Sequence, residues 1–514
     1  MNVLVWHGWL LEGAGSNVYT ARIAEVYRRL GHDVTLVCQE PHPERFPWID
    51  AWGHAAPAGV ELEERRPPTG TAGRCTVLRP RIGSLLPVFV IDEYEGFPEV
   101  KRFVDCTDDE LDVYLRSNVE ALVAVAEWRR PDVVIAGHAL PGPVVSRRAL
   151  GDGFVAKIHG SDLEYAVREQ RRCRDLAGEG LDGARAVAGA SSDVLRRCEE
   201  LVPESIGRTL VVPPGVDLTA FRPRPRSDAL AAAAGLVEGD PARGSGRHAR
   251  VDDAVRNALE AGEGAELDRL ARTYDQTVPD LDAPRRLRDL AAFEGPTVGY
   301  LGKFIPQKGV HHLIAALALL GERAPRVLLI GFGLWREWLA ALVGALDRGD
   351  IDAVRWWEEA TGENLGLDDE AIDGARGLAS RTTFTGRLDH RFAPAAVAAL
   401  DVLVVPSILA EAFGMVAIEG AATGALPLVA RHSGLAEVAS TLEARAGRPG
   451  MFSFEPGFGA PRRIADAIDR LIAVPPEERI DLREAIASVS RREWTWDRTA
   501  ERLLHAARGS PRDH

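Results

Sequence analysis

Short runs rich in β-branched residues alternate with helix-forming segments along most of this chain. In the first half the strand candidates are Val3–Trp6, Asp33–Cys38, Pro131–Ala136, Phe154–His159 and Ala186–Ala190, and the helical segments are Ser16–Leu30, Asp108–Trp128 and Ser192–Leu201. Strands that alternate with helices need right-handed crossover connections, which build a parallel sheet covered by helices. The pattern therefore predicts an α/β fold.

The same alternation restarts in the second half. Its strand candidates are Thr297–Leu301, Arg326–Ile330, Arg381–Thr385, Asp401–Pro406 and Leu426–Ala430, and its helical segments are Val310–Leu320, Leu334–Leu346 and Phe413–Thr423. Residues 222–292, with a helical stretch at Ala254–Ala271, and residues 347–378 interrupt it. We interpret both as insertions, the first helical or partly disordered. We predict one Rossmann-like domain at 1–214, a second at 215–490, and a helix within 491–514, from about Trp494 to Ala507, that returns to the first.

Composition and charge exclude several classes of protein. The chain of 514 residues carries 62 basic and 76 acidic residues, for a net charge of −14, whereas nucleic-acid binders usually have a basic excess. Its five cysteines include no CxxC pair, so neither a zinc site nor a disulfide framework is predicted. No secretory leader or membrane-spanning run is evident, which favours a soluble cytoplasmic protein.

Lysine is scarce and unevenly placed. The only lysines are Lys101, Lys157, Lys303 and Lys308, and arginine supplies the rest of the Lys and Arg count. Two of the four lie in the loop Gly302–Gly309, and Lys157 stands two residues before a histidine. A compact ammonium meets a phosphate as a point charge, unlike a planar guanidinium, so chemistry could require lysine in this loop. Chance placement in an arginine-biased chain is the alternative.

The segment 406–419 combines a strand end, a loop and a helix start. An apolar strand ends at Pro406, and the chain enters a helix near Phe413. The first-turn amides of a helix are free donors with a partial positive charge, which suits a phosphate. Glu411 precedes the helix and Glu419 lies inside it, where carboxylates could accept hydrogen bonds from vicinal hydroxyls. A capping acid and a surface glutamate would be the simpler interpretation.

Segment 406–419 resembles the E-x7-E motif of family 4 of the retaining glycosyltransferases, which have the GT-B fold of two Rossmann-like domains facing a cleft. The similarity also covers residues 13–17, 213–217, 302–309, 331–333 and 386–388, together with Gly424, Pro427, Gly434 and Glu437. Two positions depart from the family pattern. Lys303 stands where arginine is commoner, and Ser433 stands where the first glycine of a pair is commoner.

The resemblance implies a role for each matching residue. Glu419 would bind the donor ribose and Glu411 the transferred hexose, while Lys303 and Lys308 would neutralise the leaving diphosphate. Backbone around Arg387 and Leu388 would hold the base, and backbone amides of the helix start would contact hexose and diphosphate. The residues expected to bind the donor are Gly15, Gly302, Arg387, Leu388, Phe413, Gly414, Met415, Val416 and Glu419.

A histidine in the first half completes the expected catalytic set. His159 lies in Lys157-Ile158-His159-Gly160-Ser161-Asp162, which is similar to an H-G-[ST]-D segment in several family members, where the histidine reaches the transferred sugar across the cleft. His7 and His138 also end strand candidates, and for them a structural role is at least as plausible. The expected catalytic residues are His159, Lys303, Lys308 and Glu411.

A metal ion is the competing way to stabilise a diphosphate leaving group. Asp280-Leu281-Asp282 and Asp350-Ile351-Asp352 are DxD strings, but both lie in the acidic insertions, and we interpret them as solvated charge. Two lysines and a helix terminus suffice electrostatically. We therefore expect no metal ion and no other cofactor.

The expected activity is transfer of a hexosyl group, with retention of configuration, from a nucleoside-diphosphate sugar to the hydroxyl of a small-molecule, glycan or lipid-linked acceptor. A glycoside phosphorylase of the same fold and a non-catalytic protein that binds sugar nucleotides are the alternatives. The sequence does not identify the base, the sugar, the acceptor or the oligomeric state.

Overall fold

The computed structural model describes residues 1–67, 73–91 and 94–509. The chain divides into two compact units, residues 1–215 with 495–514, and residues 216–494. The chain crosses from the first unit to the second at Gly215 and returns at Thr495. The first unit is therefore built from two separate stretches of sequence.

The first unit is an α/β layer structure around one large sheet. Its strands are β1 (Asn2–Trp6), β2 (Asp33–Val37), β3 (Ala51–Ala56), β4 (Gly59–Arg65), β5 (Cys75–Pro80), β6 (Leu85–Val88), β7 (Glu99–Arg102), β8 (Val133–Gly137), β9 (Phe154–Lys157), β10 (Ala184–Gly189) and β11 (Thr209–Val211). Its helices are α1 (Gly15–Arg29), α2 (Asp108–Trp128), α3 (Gly142–Leu150), α4 (Arg171–Asp182) and α5 (Ser192–Leu201), and the last helix of the chain joins them.

Nine of these strands form one sheet in the order β11-β10-β9-β8-β1-β2-β5-β3-β4, in which only β3 and β4 pair antiparallel. Strands β6 and β7 form a separate parallel pair. Because β1 lies between β2 and β8, the strand order reverses beside it, and such a switch point is where α/β sheets bind ligands. Residues that follow β1 and β8 are therefore placed for function.

The second unit has a six-stranded, fully parallel sheet in the order β14-β13-β12-β15-β16-β17. Its strands are β12 (Thr297–Lys303), β13 (Arg326–Phe332), β14 (Thr382–Phe384), β15 (Val402–Val405), β16 (Leu426–Ala430) and β17 (Ser453–Phe454). The sheet order reverses between β12 and β15, which pair in parallel at Val298–Val402. The loops that follow these two strands therefore emerge side by side at a switch point.

Many helices surround this second sheet. They are α6 (Arg226–Glu238), α7 (Val251–Ala261), α8 (Gly264–Leu270), α9 (Ala283–Ala291), α10 (Val310–Leu320), α11 (Arg336–Arg348), α12 (Ile351–Thr361), α13 (Asp369–Gly374), α14 (Leu378–Arg381), α15 (Ala393–Ala398), α16 (Met415–Thr423), α17 (Ser433–Ala446), α18 (Ala460–Ile472) and α19 (Pro476–Glu493). The final helix of the chain, α20 (Trp496–Arg508), belongs to the first unit, where it packs on α1, β8, β9 and β10.

The first insertion, 222–292, is helical and is part of the second unit's core. Leu230 of α6 and Leu287 of α9 are fully buried in one cluster with Leu328 of β13 and Leu403 of β15. The Arg247 side chain, 1% exposed, pairs with the fully buried Glu337 of α11 at 2.7 Å. The apolar side chains of this segment fill the domain core, and its Arg247 is buried with Glu337. The segment is therefore ordered structure and not a flexible insertion.

The interpretation of the first DxD string as solvated charge was wrong. Asp280 is 2% exposed and lies 3.4 Å from Arg336 and 3.5 Å from Arg286, so it is a buried acid held between guanidinium groups. In the second string, Asp350 accepts a hydrogen bond from the Ala353 amide at 3.1 Å and caps α12. Both strings therefore have structural partners in this fold.

Strands β3 to β7 have no counterpart in the sequence-based prediction. The sequence of β4, GVELEER, alternates weakly and is half charged, because this strand forms the sheet edge and pairs only with β3. Strand β3, AWGHAA, has no β-branched residue and is held instead by two neighbours, β4 and β5. Their strand state depends on distant pairing, which local propensity does not reveal.

Candidate active site

In the second unit, the loops after β12 and β15 meet at the switch point. The amide of Ile408 donates a hydrogen bond to the Gln307 carbonyl at 2.8 Å, which joins the two loops directly. Gly309 has φ +66°, and a Cβ at this position would lie 2.0 Å from the Pro406 carbonyl oxygen. Only glycine lets the loops approach this closely.

Glu411 is the most densely bonded acid at this point. One of its carboxylate oxygens, Oε1, accepts hydrogen bonds from the Lys308 ammonium and, at 2.6 Å, from the Ser407 hydroxyl. Burial favours a raised pKa for Glu411, but the charge and hydrogen bond of Lys308 outweigh it and the pKa is lowered. Glu411 is therefore a carboxylate at neutral pH, and the structure brings together two of the residues expected to be catalytic.

Glu411 is one of four residues in a closed ring of hydrogen bonds with Ser407, His432 and Ser433. The Glu411 amide donates to Ser433 Oγ at 2.9 Å, and His432 contacts the same hydroxyl through Nδ1 at 3.0 Å and the Ser407 carbonyl through Nε2 at 2.7 Å. Because a carbonyl only accepts, Nε2 must carry a proton, and in the neutral ring Nδ1 then accepts from the Ser433 hydroxyl. His432 and Ser407 were not predicted as site residues, since only the fold brings them to Glu411.

Ser433 occupies a backbone conformation that glycine prefers, with φ +51°. We expect Ser433→Ala to lower the melting temperature, since it keeps the strained backbone and removes the hydroxyl between Glu411 and His432. Ser433→Gly loses the same hydroxyl but relieves a conformation that costs a side chain about 1–2 kcal/mol, so it should melt above the alanine variant. Thermal unfolding of the two variants checks the order, and an alanine variant as stable as the glycine variant would contradict it.

Helix α16 begins beside Glu411 with its amides directed out of the helix. Its N-cap is Gly414, with φ +120°, and no side chain caps it. The helix provides no carbonyl partner for the amides of Met415 and Val416, two residues that are each partly buried. Phe413 is buried edge-on against Trp494, with ring centroids 6.0 Å apart, so its side chain supports the helix start from the core.

Glu419 lies within α16 and is 7% exposed. His390 Nε2 lies 3.9 Å from Glu419 Oε1, and the His390 ring stands edge-on to Phe221 at 6.2 Å. Glu411 and Glu419 therefore occupy different settings, one in the loop with lysine and one inside the helix. His390 is a further residue at the site that the sequence did not single out.

Lys303 and Arg387 share one aromatic neighbour. Lys303 Nζ lies 5.6 Å from the centroid of the Phe332 ring, and the Arg387 guanidinium lies 5.1 Å from it. Tyr300 donates a hydrogen bond to the Lys303 carbonyl at 2.8 Å, and a Cβ on Gly302 would come within 2.7 Å of that phenol oxygen. The two loop lysines thus have different surroundings, since Lys308 contacts Glu411 and Lys303 lies beside the Phe332 ring.

Leu388 is buried in the core cluster of the second unit. Its side chain therefore has no access to a ligand, which leaves its backbone for the expected contact to a base. In the first unit, Gly15 begins α1, and a Cβ there would meet no atom within 4 Å. Space alone therefore does not require glycine at position 15.

The first unit gathers histidines at its own switch point. His7, His138 and His159 follow the neighbouring strands β1, β8 and β9. The ring centroids of His138 and His159 are 4.5 Å apart, and Tyr19 stands edge-on to His159 at 5.2 Å. Burial lowers the pKa of all three histidines, that of His7 to about 4, so the cluster is neutral.

His7 has a structural role, because it hydrogen-bonds Asn17 Oδ1 at 2.9 Å and Thr20 Oγ1 at 3.2 Å on α1. Lys157 is 2% exposed beside this cluster, with Nζ donating to the Ile158 carbonyl at 3.0 Å and lying 4.8 Å from the Tyr19 ring centroid. Burial lowers the pKa of Lys157 to about 7. Near neutral pH the buried side chain of Lys157 is therefore partly protonated and partly neutral.

Each of the two units matches a model of a known protein family. The family model described as "Glycosyl transferase 4-like domain" matches residues 14–215, and the one described as "Glycosyl transferases group 1" matches residues 288–489. Together they cover most of the chain. The chain is a glycosyltransferase of the GT-B type. The prediction of that fold and of a glycosyltransferase is confirmed.

Solved structures of glycosyltransferases share this fold over the full chain. Sucrose-phosphate synthase from Thermosynechococcus elongatus matches with a TM-score of 0.58 at 18% identity, over 99% of this chain and 98% of that one. HepE from Anabaena in complex with UDP matches with a TM-score of 0.57 at 14% identity, over 99% of this chain and 100% of that one. A search of curated protein sequences gives no match to this chain. Within the described ranges, no helix is both long and apolar enough to cross a bilayer.

Proposed function

We propose that this glycosyltransferase moves a hexosyl group from a nucleoside-diphosphate sugar to an acceptor hydroxyl with retention of configuration, as the E-x7-E motif of family 4 implies. The contact of Lys308 with Glu411 beside the start of α16 carries the proposal. Two lysines at positions 303 and 308 and the positive end of a helix dipole form a site for a diphosphate. The adjacent carboxylate, Glu411, is placed to accept hydrogen bonds from sugar hydroxyls.

The proposed donor contacts are those that the family resemblance implies. Glu419 would accept from the ribose hydroxyls, Glu411 would bind the hexose, and the Met415 and Val416 amides would contact hexose and diphosphate. Backbone at Arg387 and Leu388 would hold the base. The further proposed donor contacts are Gly15, Gly302, Phe413 and Gly414. Of these, Phe413 would act through packing, because its side chain is buried.

The proposed mechanism needs no protein nucleophile. The bond from the anomeric carbon to the diphosphate oxygen breaks as the acceptor oxygen attacks from the same face. A donor phosphate oxygen takes the acceptor proton, and the nucleoside diphosphate leaves. His159 would contact the transferred sugar, and its lowered pKa keeps the imidazole neutral. The chain's task is to stabilise the leaving group and position the reactants.

Thermal-shift screening of UDP-, GDP- and ADP-sugars, followed by hydrolysis assays without acceptor, tests the proposal. HepE has been solved with UDP-glucose, so uridine donors come first. One donor should raise the melting temperature and be hydrolysed slowly, and Glu419→Ala should lose both effects. The exposed Glu455→Gln variant is the control and should keep them. Binding without hydrolysis or transfer would indicate a non-catalytic protein, and sugar release dependent on inorganic phosphate would indicate a phosphorylase.

Chelation should leave turnover unchanged. Two lysine ammonium groups and the start of α16 supply the positive charge that a divalent ion would otherwise supply to the diphosphate. Steady-state turnover after exhaustive dialysis against EDTA should therefore equal that of untreated enzyme. Loss of turnover that Mg²⁺ or Mn²⁺ restores would overturn metal independence but not the transferase reaction.

A further inference from the structure

A cluster of two histidines and a glutamate lies outside the residues assigned to the donor. His311 and His312 are in the first turn of α10, and Glu363 follows α12 after Gly362, a left-handed glycine with φ +70°. One ligand atom from each of the three residues lies within 4.8 Å of the others. His311 Nε2 and Glu363 Oε2 are 3.3 Å apart.

The His311 ring is buried, and no described residue hydrogen-bonds it. Its side chain is fully buried, and neither ring nitrogen has a hydrogen-bond partner among the described residues. Glu363 is near enough for electrostatic attraction, but its geometry does not make a hydrogen bond. Trp335 stands edge-on to the His311 ring at 5.2 Å, and Trp357 lies at 6.2 Å. Burying an imidazole without a hydrogen-bond partner is energetically costly. A ligand bound to His311 Nε2, the nitrogen nearest Glu363, would offset that cost.

The three possible metal ligands match those that zinc and similar transition metals prefer. Two imidazole nitrogens and one carboxylate oxygen are ligands of zinc sites that keep a fourth position for water. Ligand atoms about 2.0–2.2 Å from a tetrahedral ion lie roughly 3.3 Å from one another, which is the observed spacing of His311 and Glu363. The His312 ligand atom lies within 4.8 Å of the other two, so it must move closer to complete the set. His312 and Glu363 are only partly buried, which leaves an entry path from solvent.

We propose that His311, His312 and Glu363 bind one Zn²⁺-class ion, with water as its fourth ligand. The ion would connect the first turn of α10 to the loop after α12. That loop lies in the second insertion, residues 347–378. It would act as a structural clamp, because its ligands are not among the residues assigned to the donor. Removing it should therefore lower the melting temperature and leave turnover at moderate temperature unchanged.

Metal titration of the full chain tests the site. After EDTA dialysis, Co²⁺ should give the visible spectrum of a tetrahedral complex at one ion per chain, and Zn²⁺ should displace it and raise the melting temperature. Glu363→Gln and His312→Gln should each weaken Zn²⁺ binding by roughly tenfold or more, the loss that even an outer partner of a metal ligand produces. Glu359→Gln, an exposed carboxylate on α12, is the matched control and should bind like the wild type.

Three results would overturn the site. The first is a wild-type chain that binds no stoichiometric Co²⁺. The second is a Glu363→Gln or His312→Gln variant, folded by circular dichroism, that binds Zn²⁺ as tightly as the wild type. The third is a Zn²⁺ shift in melting temperature that Glu359→Gln loses as fully as Glu363→Gln. None of these outcomes depends on activity, so the site and the transferase reaction are judged separately.

Discussion

Lys308→Ala is expected to lower turnover roughly ten- to hundredfold. The ammonium contacts Glu411 and is 34% exposed, so its bond to a diphosphate would form in a partly desolvated site. A charge-assisted bond there is worth about 1.5–3 kcal/mol, which becomes a rate effect of that size when the bond strengthens in the transition state. Lys308→Arg should recover only part of the rate, because the guanidinium fork must fit a site shaped around an ammonium.

The double variant Lys308→Ala/Glu411→Gln separates two roles of this lysine. If Lys308 served only to neutralise Glu411, removing the carboxylate charge would restore turnover. We expect no restoration, because both groups are assigned to the donor. Steady-state kinetics with melting temperatures measures this, and wild-type turnover and donor affinity in folded Lys308→Ala would end the assignment. Lys303→Ala should also slow turnover, through loss of the second charge.

Lys101→Ala is the matched control for Lys308→Ala. Lys101 pairs with Glu110 at 2.5 Å at a similar exposure, 39%, in the first unit. Its removal also breaks a lysine–glutamate pair, but at a place with no assigned ligand. Equal losses of turnover in Lys101→Ala and Lys308→Ala would show that the effect comes from stability.

Glu337→Ala is expected to destabilise the second unit by about 3–5 kcal/mol. The variant leaves Arg247, whose side chain is 1% exposed, without the carboxylate that it contacts at 2.7 and 2.8 Å. Tyr274 also loses the acceptor for its hydroxyl, at 2.6 Å. Arg247 keeps Asp252 at 2.7 Å, but that carboxylate is half exposed, so the buried guanidinium loses its bidentate, fully buried partner. Chemical denaturation followed by circular dichroism measures the loss.

Two comparisons sharpen that measurement. Glu266→Ala breaks a surface pair between Glu266 and Arg269 in the first insertion, which also contains Arg247. This variant should change the free energy of unfolding little. Arg247→Met/Glu337→Leu replaces both charges by apolar groups and should recover most of the loss, since no charge is then left buried alone. Glu337→Ala with wild-type stability would show that the insertion folds independently of α11.

Much of the candidate donor site follows from the sequence, because its residues lie close in sequence to strand ends. The loop Gly302–Gly309 and the segment with Glu411 each follow an apolar strand, and parallel strands direct their carboxyl ends to one edge. The helix α10 was predicted from Val310 to Leu320, and the structure has it with those bounds. Here local periodicity and the order of elements were sufficient.

The sequence by itself determined the alternation of strands and helices, the two sheets that follow from it, and the loops on which Lys308 and Glu411 lie. Only the tertiary structure decided which distant groups meet. His432 closes a ring around Glu411, Arg247 is buried on Glu337, and Glu363 reaches His311 across more than fifty residues. The physical reason is that periodicity and capping are set by neighbours along the chain, whereas pairing of charges and of edge strands depends on how whole elements pack.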